Sequence, residues 1–341
     1  MNKYLAYIRG QFLPLGYEEF FACMEAENIK YRTEFSENQI ILLESAGNPS
    51  KAASRCAFLH SLLKVVAIGN VDESISITND YRLDEIEKNK SFCVRANRIG
   101  KKQTRISRVE IERDLGSHIY KKFENKYLNV NLTNPDYQFY AIIHNKKFYL
   151  GLKLWSVDRE TYRKREPSQR PSFRPGSMKT DFARALVNLS RVREGDIFYD
   201  PFCGGGGFLI ESSILGAYSL GSDISAEAVL SAAKNLKKFS EGDFAIIRSD
   251  SRKSIIRKAD AIATDPPYAI QSSTHGKQVK DLLHDFLLES KTILEPGRYL
   301  VFGSPKRIEP EKIVKKVGYE IVSMIDARIH KSLTRRIMVV K

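Results

Sequence analysis

Short apolar runs, each closed by an acidic residue, recur through the second half of this 341-residue chain. Residues 196–199 precede Asp200, 218–221 precede Asp223, 244–248 precede Asp250, and 259–264 precede Asp265. Runs this short, bounded by turn residues, predict buried strands. Between and after them, residues 208–215, 281–294 and 310–317 have helical spacing, the last ending at Gly318. Residues 180–189 put Phe182, Leu186 and Leu189 on one face of a helix, with Thr180 as its N-cap. Residues 299–303 form a further strand, and 320–329 with 336–340 a closing antiparallel pair. Strand and helix alternate as in a doubly wound α/β sheet, parallel for the most part.

The first half alternates differently. Residues 1–10 read as a strand, 16–28 as a helix, and 31–34 and 39–43 as strands. Residues 49–68 read as one helix that begins at Ser50 and turns Ala53, Ala57, Leu62 and Val65 inward. A strand at 91–96, a helix at 107–121 and strands at 129–132, 138–144 and 147–153 follow. The mixture is α+β, up to about residue 155. Residues 156–176 hold six basic groups, Arg159, Arg163, Lys164, Arg165, Arg170 and Arg174, with Pro167, Pro171 and Pro175 among them. Those prolines predict an extended, semi-rigid linker. The expected domains are therefore 1–55, 56–155, a linker at 156–176, and 177–341.

Hydrophobic residues make up 42% of the chain and aromatics 10%, which suits ordinary globular cores. A membrane span needs about 18 consecutive apolar residues, and no stretch approaches that. The start of the chain has no signal-peptide pattern. Cys23, Cys56, Cys93 and Cys203 lack the paired spacing of a zinc site or a disulfide framework, so buried, reduced thiols of a cytoplasmic protein are expected, with no metal. The formal net charge of +14 favours a polyanionic partner. Arg95, Arg98, Lys101, Lys102, Arg105 and Arg108 are candidate phosphate contacts, with Arg163, Arg165 and Arg174 in the linker and Lys331 and Arg335 near the C-terminus. Without a base-reading element they would position an RNA, not read its sequence. A solvated basic surface is the plainer alternative.

The chemistry concentrates at Asp265-Pro266-Pro267-Tyr268, where the run 259–264 stops. Neither proline has an N–H, and each has φ fixed near −65°. The turn gathers a carboxylate, the Pro266 carbonyl and an aromatic ring. Two acceptors and a ring suit a flat base with an exocyclic amine, and Asp265 can take the amine's proton. Upstream, Asp200-Pro201-Phe202-Cys203 leads into four glycines, residues 204–207, between a strand and a helix. Such a loop lets backbone approach a ligand and exposes helix N-terminal N–H groups. No Lys-Ser or Lys-Thr follows, which excludes a P-loop. Asp223 stands where a ribose-binding acid is expected in such a unit. Four strands thus present acids at the edge where open α/β sheets bind ligands.

Asp-Pro-Phe-Cys-Gly-x-Gly-Gly with Asp-Pro-Pro-Tyr downstream resembles the S-adenosylmethionine-dependent amino-methyltransferases of Rossmann-like fold. Arg174-Pro175-Gly176, the run 183–189 and the segment 330–335, with Lys331 and Arg335, resemble the archaeal tRNA guanosine-10 N2-methyltransferases. The first half resembles the THUMP RNA-binding module of those enzymes, behind a ferredoxin-like piece. The resemblance implies a seven-stranded, mostly parallel sheet, S-adenosylmethionine as cofactor and tRNA as partner, in a monomer without an obligate protein partner. It implies Asp265, Pro266, Pro267 and Tyr268 as catalytic residues. Asp200, Pro201, Phe202, Gly204 and Gly206 would meet the methionine end of the cofactor, Asp223 with Ile224 its ribose, and Asp250 with Ser251 its adenine. Gly205 departs from the family loop, which usually has Thr there, and Ala269 follows Tyr268 where Gly is common. A sister enzyme acting elsewhere on tRNA, such as the acceptor stem, a DNA adenine-N6 or cytosine-N4 methyltransferase, and a non-catalytic RNA-binding protein are the competing readings.

Overall fold

The computed structural model describes residues 2–71, 86–100, 107–267, 273–330 and 333–341. The first half runs β1 (Asn2–Ile8), α1 (Leu13–Ala26), β2 (Tyr31–Glu37), β3 (Ile40–Ser45), α2 (Ser50–Arg55) and β4 (Leu59–Asn70). It continues with β5 (Ser91–Arg98), α3 (Arg108–Lys122), β6 (Asn129–Val130), β7 (Tyr137–His144) and β8 (Lys147–Ser156). The second half begins α4 (Arg159–Arg163), α5 (Thr180–Leu189), β9 (Ile197–Asp200), α6 (Gly207–Ile214), β10 (Tyr218–Asp223) and α7 (Ala226–Phe239). Then come β11 (Phe244–Arg248), β12 (Ala259–Thr264), α8 (Ser273–Ile293), β13 (Leu294–Pro305), α9 (Pro310–Val317), β14 (Ile321–His330) and β15 (Leu333–Val340). Among the described residues no helix is long and apolar enough to cross a membrane.

Two compact units form. The first takes residues 1–13, 29–54 and 59–157; the second takes 14–28, 55–58 and 158–341. The first unit is one eight-stranded sheet in the order β2-β3-β1-β4-β8-β7-β5-β6. Helix α3 starts at a capping box, in which Ser107 Oγ accepts from Glu110 N and Glu110 Oε2 accepts from Ser107 N. It buries Ile111, Leu115 and Ile119 with Phe92, Val94 and Phe139. The predicted helix over 49–68 is corrected here: it ends at Arg55, and residues 59–70 are strand β4. That strand is paired on both sides, antiparallel to β1 and β8. Leu59, Leu62 and Leu63 are fully buried, so the alternation that would mark a half-buried strand is missing and helical spacing arises by accident.

The second unit is a seven-stranded sheet in the order β11-β10-β9-β12-β13-β15-β14. Strand β10 runs parallel to β9 and β11, β12 runs parallel to β9 and β13, and β15 is antiparallel to β13 and β14. The sheet is therefore mixed, and Asp200, Asp223, Asp250 and Asp265 all come at the same edge. Helix α7 adds to the predicted elements, capped by Ser225 Oγ, which accepts from Ala228 N. Helix α8 starts at Ser273, earlier than the predicted residue 281.

Helix α5 departs from its predicted amphipathic form. Its residues Thr180, Arg184 and Asn188 are buried along with its apolar ones. Lys179, not Thr180, is the N-cap, and it makes no side-chain cap bond. Residues from α1 and from 55–58 accept from the Asn188 side-chain amide, and Glu211 of α6 pairs with Arg184. Asn188 Nδ2 donates to Glu19 at 2.8 Å, and Glu19 also accepts from Ala57 N and Phe58 N at 2.8 Å each. Burial still pushes Glu19 up to about 7, against those hydrogen bonds.

The expected extended linker is also corrected. It contains α4, capped by Asp158, and a 3₁₀ turn at Pro167–Gln169. The reason is one buried carboxylate. Glu211 is fully buried and accepts from Arg165 at 2.8 and 3.1 Å and from Arg184 at 2.8 Å. Burial would raise its pKa, but Arg184 and Arg165 outweigh that and hold it low. Ordering this segment satisfies a charge that the core could not otherwise hold.

Candidate active site

A cavity of about 530 Å³ opens at the carboxyl edge of the parallel strands, within the second unit. Its size falls within the range of small-molecule sites. Strand β9 delivers Pro201, Phe202 and Gly204 to its wall, β10 delivers Asp223 and Ile224, and the end of β11 delivers Asp250 and Ser251. Beyond β12 come Asp265 and Pro267. Four separated stretches of sequence thus meet at one space, as their positions on neighbouring parallel strands require.

The glycine loop is shaped by contacts behind it. Gly204 and Gly206 have φ of +50° and +78°, and a Cβ on Gly206 would stand 2.9 Å from Leu236 Cδ1. Gly206 N donates to the Cys203 carbonyl at 2.7 Å, and Asn235 Nδ2 donates to the Gly205 carbonyl at 2.9 Å. Gly205 itself has ordinary φ, and a Cβ there would meet nothing nearer than 3.7 Å. The missing Thr of the family loop therefore leaves room beside Ser177 and Ser231.

Each acid has a distinct setting. Asp223 Oδ2 accepts from Gly204 N at 3.0 Å and Oδ1 from Ser225 N at 2.9 Å. One lone pair on each oxygen locks the loop, and a second on each is left for ligand hydroxyls. Arg252 grips Asp250 with bonds of 2.7 to 3.2 Å, and that hydrogen bonding holds Asp250 below its ordinary range. Asp265 Oδ2 accepts from Arg335 Nη2 at 2.9 Å, with both side chains largely buried. Strand β15 brings Arg335 there through its pairing with β13.

Asp200 differs from expectation. It is fully buried and is not on the cavity wall; it accepts from Thr264 Oγ1 at 2.6 Å and Phe202 N at 3.1 Å. Burial, with Asp223 and Asp265 adding repulsion, pushes it up to about 7. It braces the loop from beneath. Gly206 likewise supports the wall without lining it, and Pro266 sits between Asp265 and Pro267, which do line it. Tyr268, Ala269, Lys101, Lys102, Arg105 and Lys331 lie outside the described residues.

The candidate phosphate contacts divide. Arg165 and Arg335 are corrected from RNA contacts to internal partners, of Glu211 and Asp265 respectively. Arg163 is exposed beside Glu160, Arg108 pairs with Glu112, and Arg95 donates to the Leu132 carbonyl. Arg98 lies on β5, and Arg174 lines the cavity. Met178, Leu282 and Arg252 also line it. The sequence reading missed Leu282 and Arg252; only Arg252, two residues after an acid, had a local signal.

Residues 167–337 match the RMKL-like methyltransferase domain family, and residues 81–153 match the THUMP domain family. The tRNA (guanine(10)-N2)-dimethyltransferase of Methanothermobacter thermautotrophicus is 34% identical, over 84% of this chain and 83% of its own. The enzyme of the same name from Methanocaldococcus jannaschii is 31% identical over 98% of both chains. The crystal structure of TrmN from Thermus thermophilus has a TM-score of 0.54 at 18% identity and covers 99% of each chain, a likeness of fold. The positive-φ glycine cradle, the acid at the end of β10 and the acid after β11 fit S-adenosylmethionine.

Proposed function

We propose, on the premise that this chain belongs to the family of archaeal tRNA (guanine(10)-N2)-dimethyltransferases, that it methylates the N2 amine of guanosine 10 in tRNA, once and then again. The observation that carries the reading is Asp265-Pro266-Pro267 at the edge of β12, on the same cavity as the glycine loop and Asp223. The THUMP match over residues 81–153 supports RNA as the substrate class.

S-adenosylmethionine, when bound, supplies an electrophilic methyl on its sulfonium. Asp223 serves the ribose hydroxyls, and Asp250 with Ser251 lies at the adenine. The guanine amine is a weak nucleophile because its lone pair is delocalised into the ring. Asp265 and the Pro266 carbonyl accept its two hydrogens and turn the lone pair out of conjugation, which is catalysis by alignment. Arg335 fixes the Asp265 carboxylate for that task. As the amine is alkylated and becomes cationic, Asp265 stabilises the charge and takes the proton. Tyr268, next in the sequence after Pro267, is assigned the role of stacking ring on its chemistry alone. A base in a stem must leave the stack to reach this cavity.

Labelled methyl transfer to two matched tRNA transcripts tests the reading, one with guanosine and one with adenosine at position 10. Transfer only to the first, with one and then two methyl groups found by mass spectrometry, is expected. Equal transfer to both would move the target elsewhere on tRNA, to the sister-enzyme reading.

A further inference from the structure

Arg170 carries a guanidinium that the protein itself leaves partly unmet. The residue is only 7% exposed. Its Nε donates to the Arg165 carbonyl at 3.0 Å, while its buried Nη2 has no hydrogen-bond partner. Glu211, a fully buried acid whose charge acts on it, is already engaged by Arg165 and Arg184. Burial without a full set of acceptors lowers the Arg170 pKa. A buried donor of this kind is costly unless a ligand supplies the acceptor.

The same side chain lines the cavity at the glycine loop. Nη1 and Nη2 lie 3.2 and 3.6 Å from where a Cβ on Gly207 would stand, so any side chain there would displace the guanidinium. Gly207 opens α6, whose first helical bond runs from Ile210 N to the Gly206 carbonyl at 3.0 Å. The N–H groups of Gly207 and Phe208 therefore lack helical acceptors, and both residues line the cavity. Donors without acceptors, a helix N-terminus and a fixed positive charge meet at one place. Their common complement is a planar anion with two oxygens.

The geometry points to Arg170, with the first N–H groups of α6, as the receptor for the α-carboxylate of S-adenosylmethionine. This rests on the cofactor assignment above. An anchored carboxylate limits rotation of the aminobutyrate chain and so fixes where the sulfonium sits. Arg170 belongs to the basic segment that composition alone would offer to an RNA backbone, and its burial removes it from that role.

Calorimetric titration of the full chain with S-adenosylmethionine and with its decarboxylated analogue tests the inference without any turnover. Wild type is expected to bind the analogue about 10- to 100-fold more weakly, the range of hydrogen bonds to a charged group. Arg170→Met should lose a similar factor for S-adenosylmethionine and bind the analogue as wild type does. The analogue thus reports whether the variant is folded. Arg170→Lys, which keeps the charge without the fork, should fall between the two and stands in should Arg170→Met not fold. Wild type binding both ligands equally would overturn the inference, and so would either variant weakening both by the same factor. If wild type bound neither ligand, the cofactor assignment itself would fail.

Discussion

Two adjacent glycines in the cofactor loop should respond in opposite ways to the same methyl group. At Gly206, φ is +78°, and an added Cβ would lie 2.9 Å from Leu236 Cδ1 and 3.3 Å from Ala232 Cβ. The left-handed backbone costs an alanine about 1–2 kcal/mol, and forcing a methyl into a filled space costs roughly 1–3 kcal/mol more. Gly206→Ala should therefore destabilise the second unit by about 2–5 kcal/mol. At Gly205, φ is ordinary and the nearest atoms to a new Cβ are 3.7 Å away. Gly205→Ala should stabilise by about 0.4–1 kcal/mol, because it restricts the unfolded chain without strain. Thermal melts with and without S-adenosylhomocysteine give the assay, since the transition raised by the ligand reports this unit. For a unit of this size, 1 kcal/mol moves Tm by about 2–4 °C. A drop of several degrees for Gly206→Ala and a small rise for Gly205→Ala are expected. Equal drops for the two variants would refute the contacts assigned to the loop.

Three further outcomes follow from the site. Asp265→Ala should lower methyl transfer by at least about 10²-fold while calorimetry finds S-adenosylhomocysteine affinity little changed; near wild-type turnover would remove Asp265 from the chemistry. Asp200, raised by burial from 3.8 to about 7, keeps a proton in the folded state over that window that the unfolded chain has lost. Its contribution to stability therefore falls as pH rises from about 4 to 7, and Asp200→Asn should flatten that slope in denaturant titrations at several pH values; unchanged slopes would count against it. Glu211→Gln should cost about 3–5 kcal/mol in the same titrations, because it leaves Arg184 and Arg165 buried without their charge partner. A loss under about 1 kcal/mol would show that the ion triad is not what orders residues 158–169.

The cavity-lining parts of the site were legible in the sequence because they depend on local chemistry. Four short runs ending at Asp200, Asp223, Asp250 and Asp265 carry their own period and their own stops. A parallel sheet then brings their ends to one edge. The glycine loop and the two prolines after Asp265 encode backbone shape directly, one by permitting positive φ and the other by fixing φ.

What the sequence left open was every feature set by a distant partner. Residues 59–70 have helix-like spacing but become a central strand, because β1 and β8 bury both of their faces. Arg165 and Arg335 read as phosphate contacts until Glu211 and Asp265, 46 and 70 residues away along the chain, take their guanidiniums. Asp200 reads like the other strand-end acids, yet the Thr264 hydroxyl and the overlying loop seal it from the cavity. Charge and spacing specify what a side chain can do; burial and long-range pairing decide what it does, because they set whether water or protein satisfies its polar atoms.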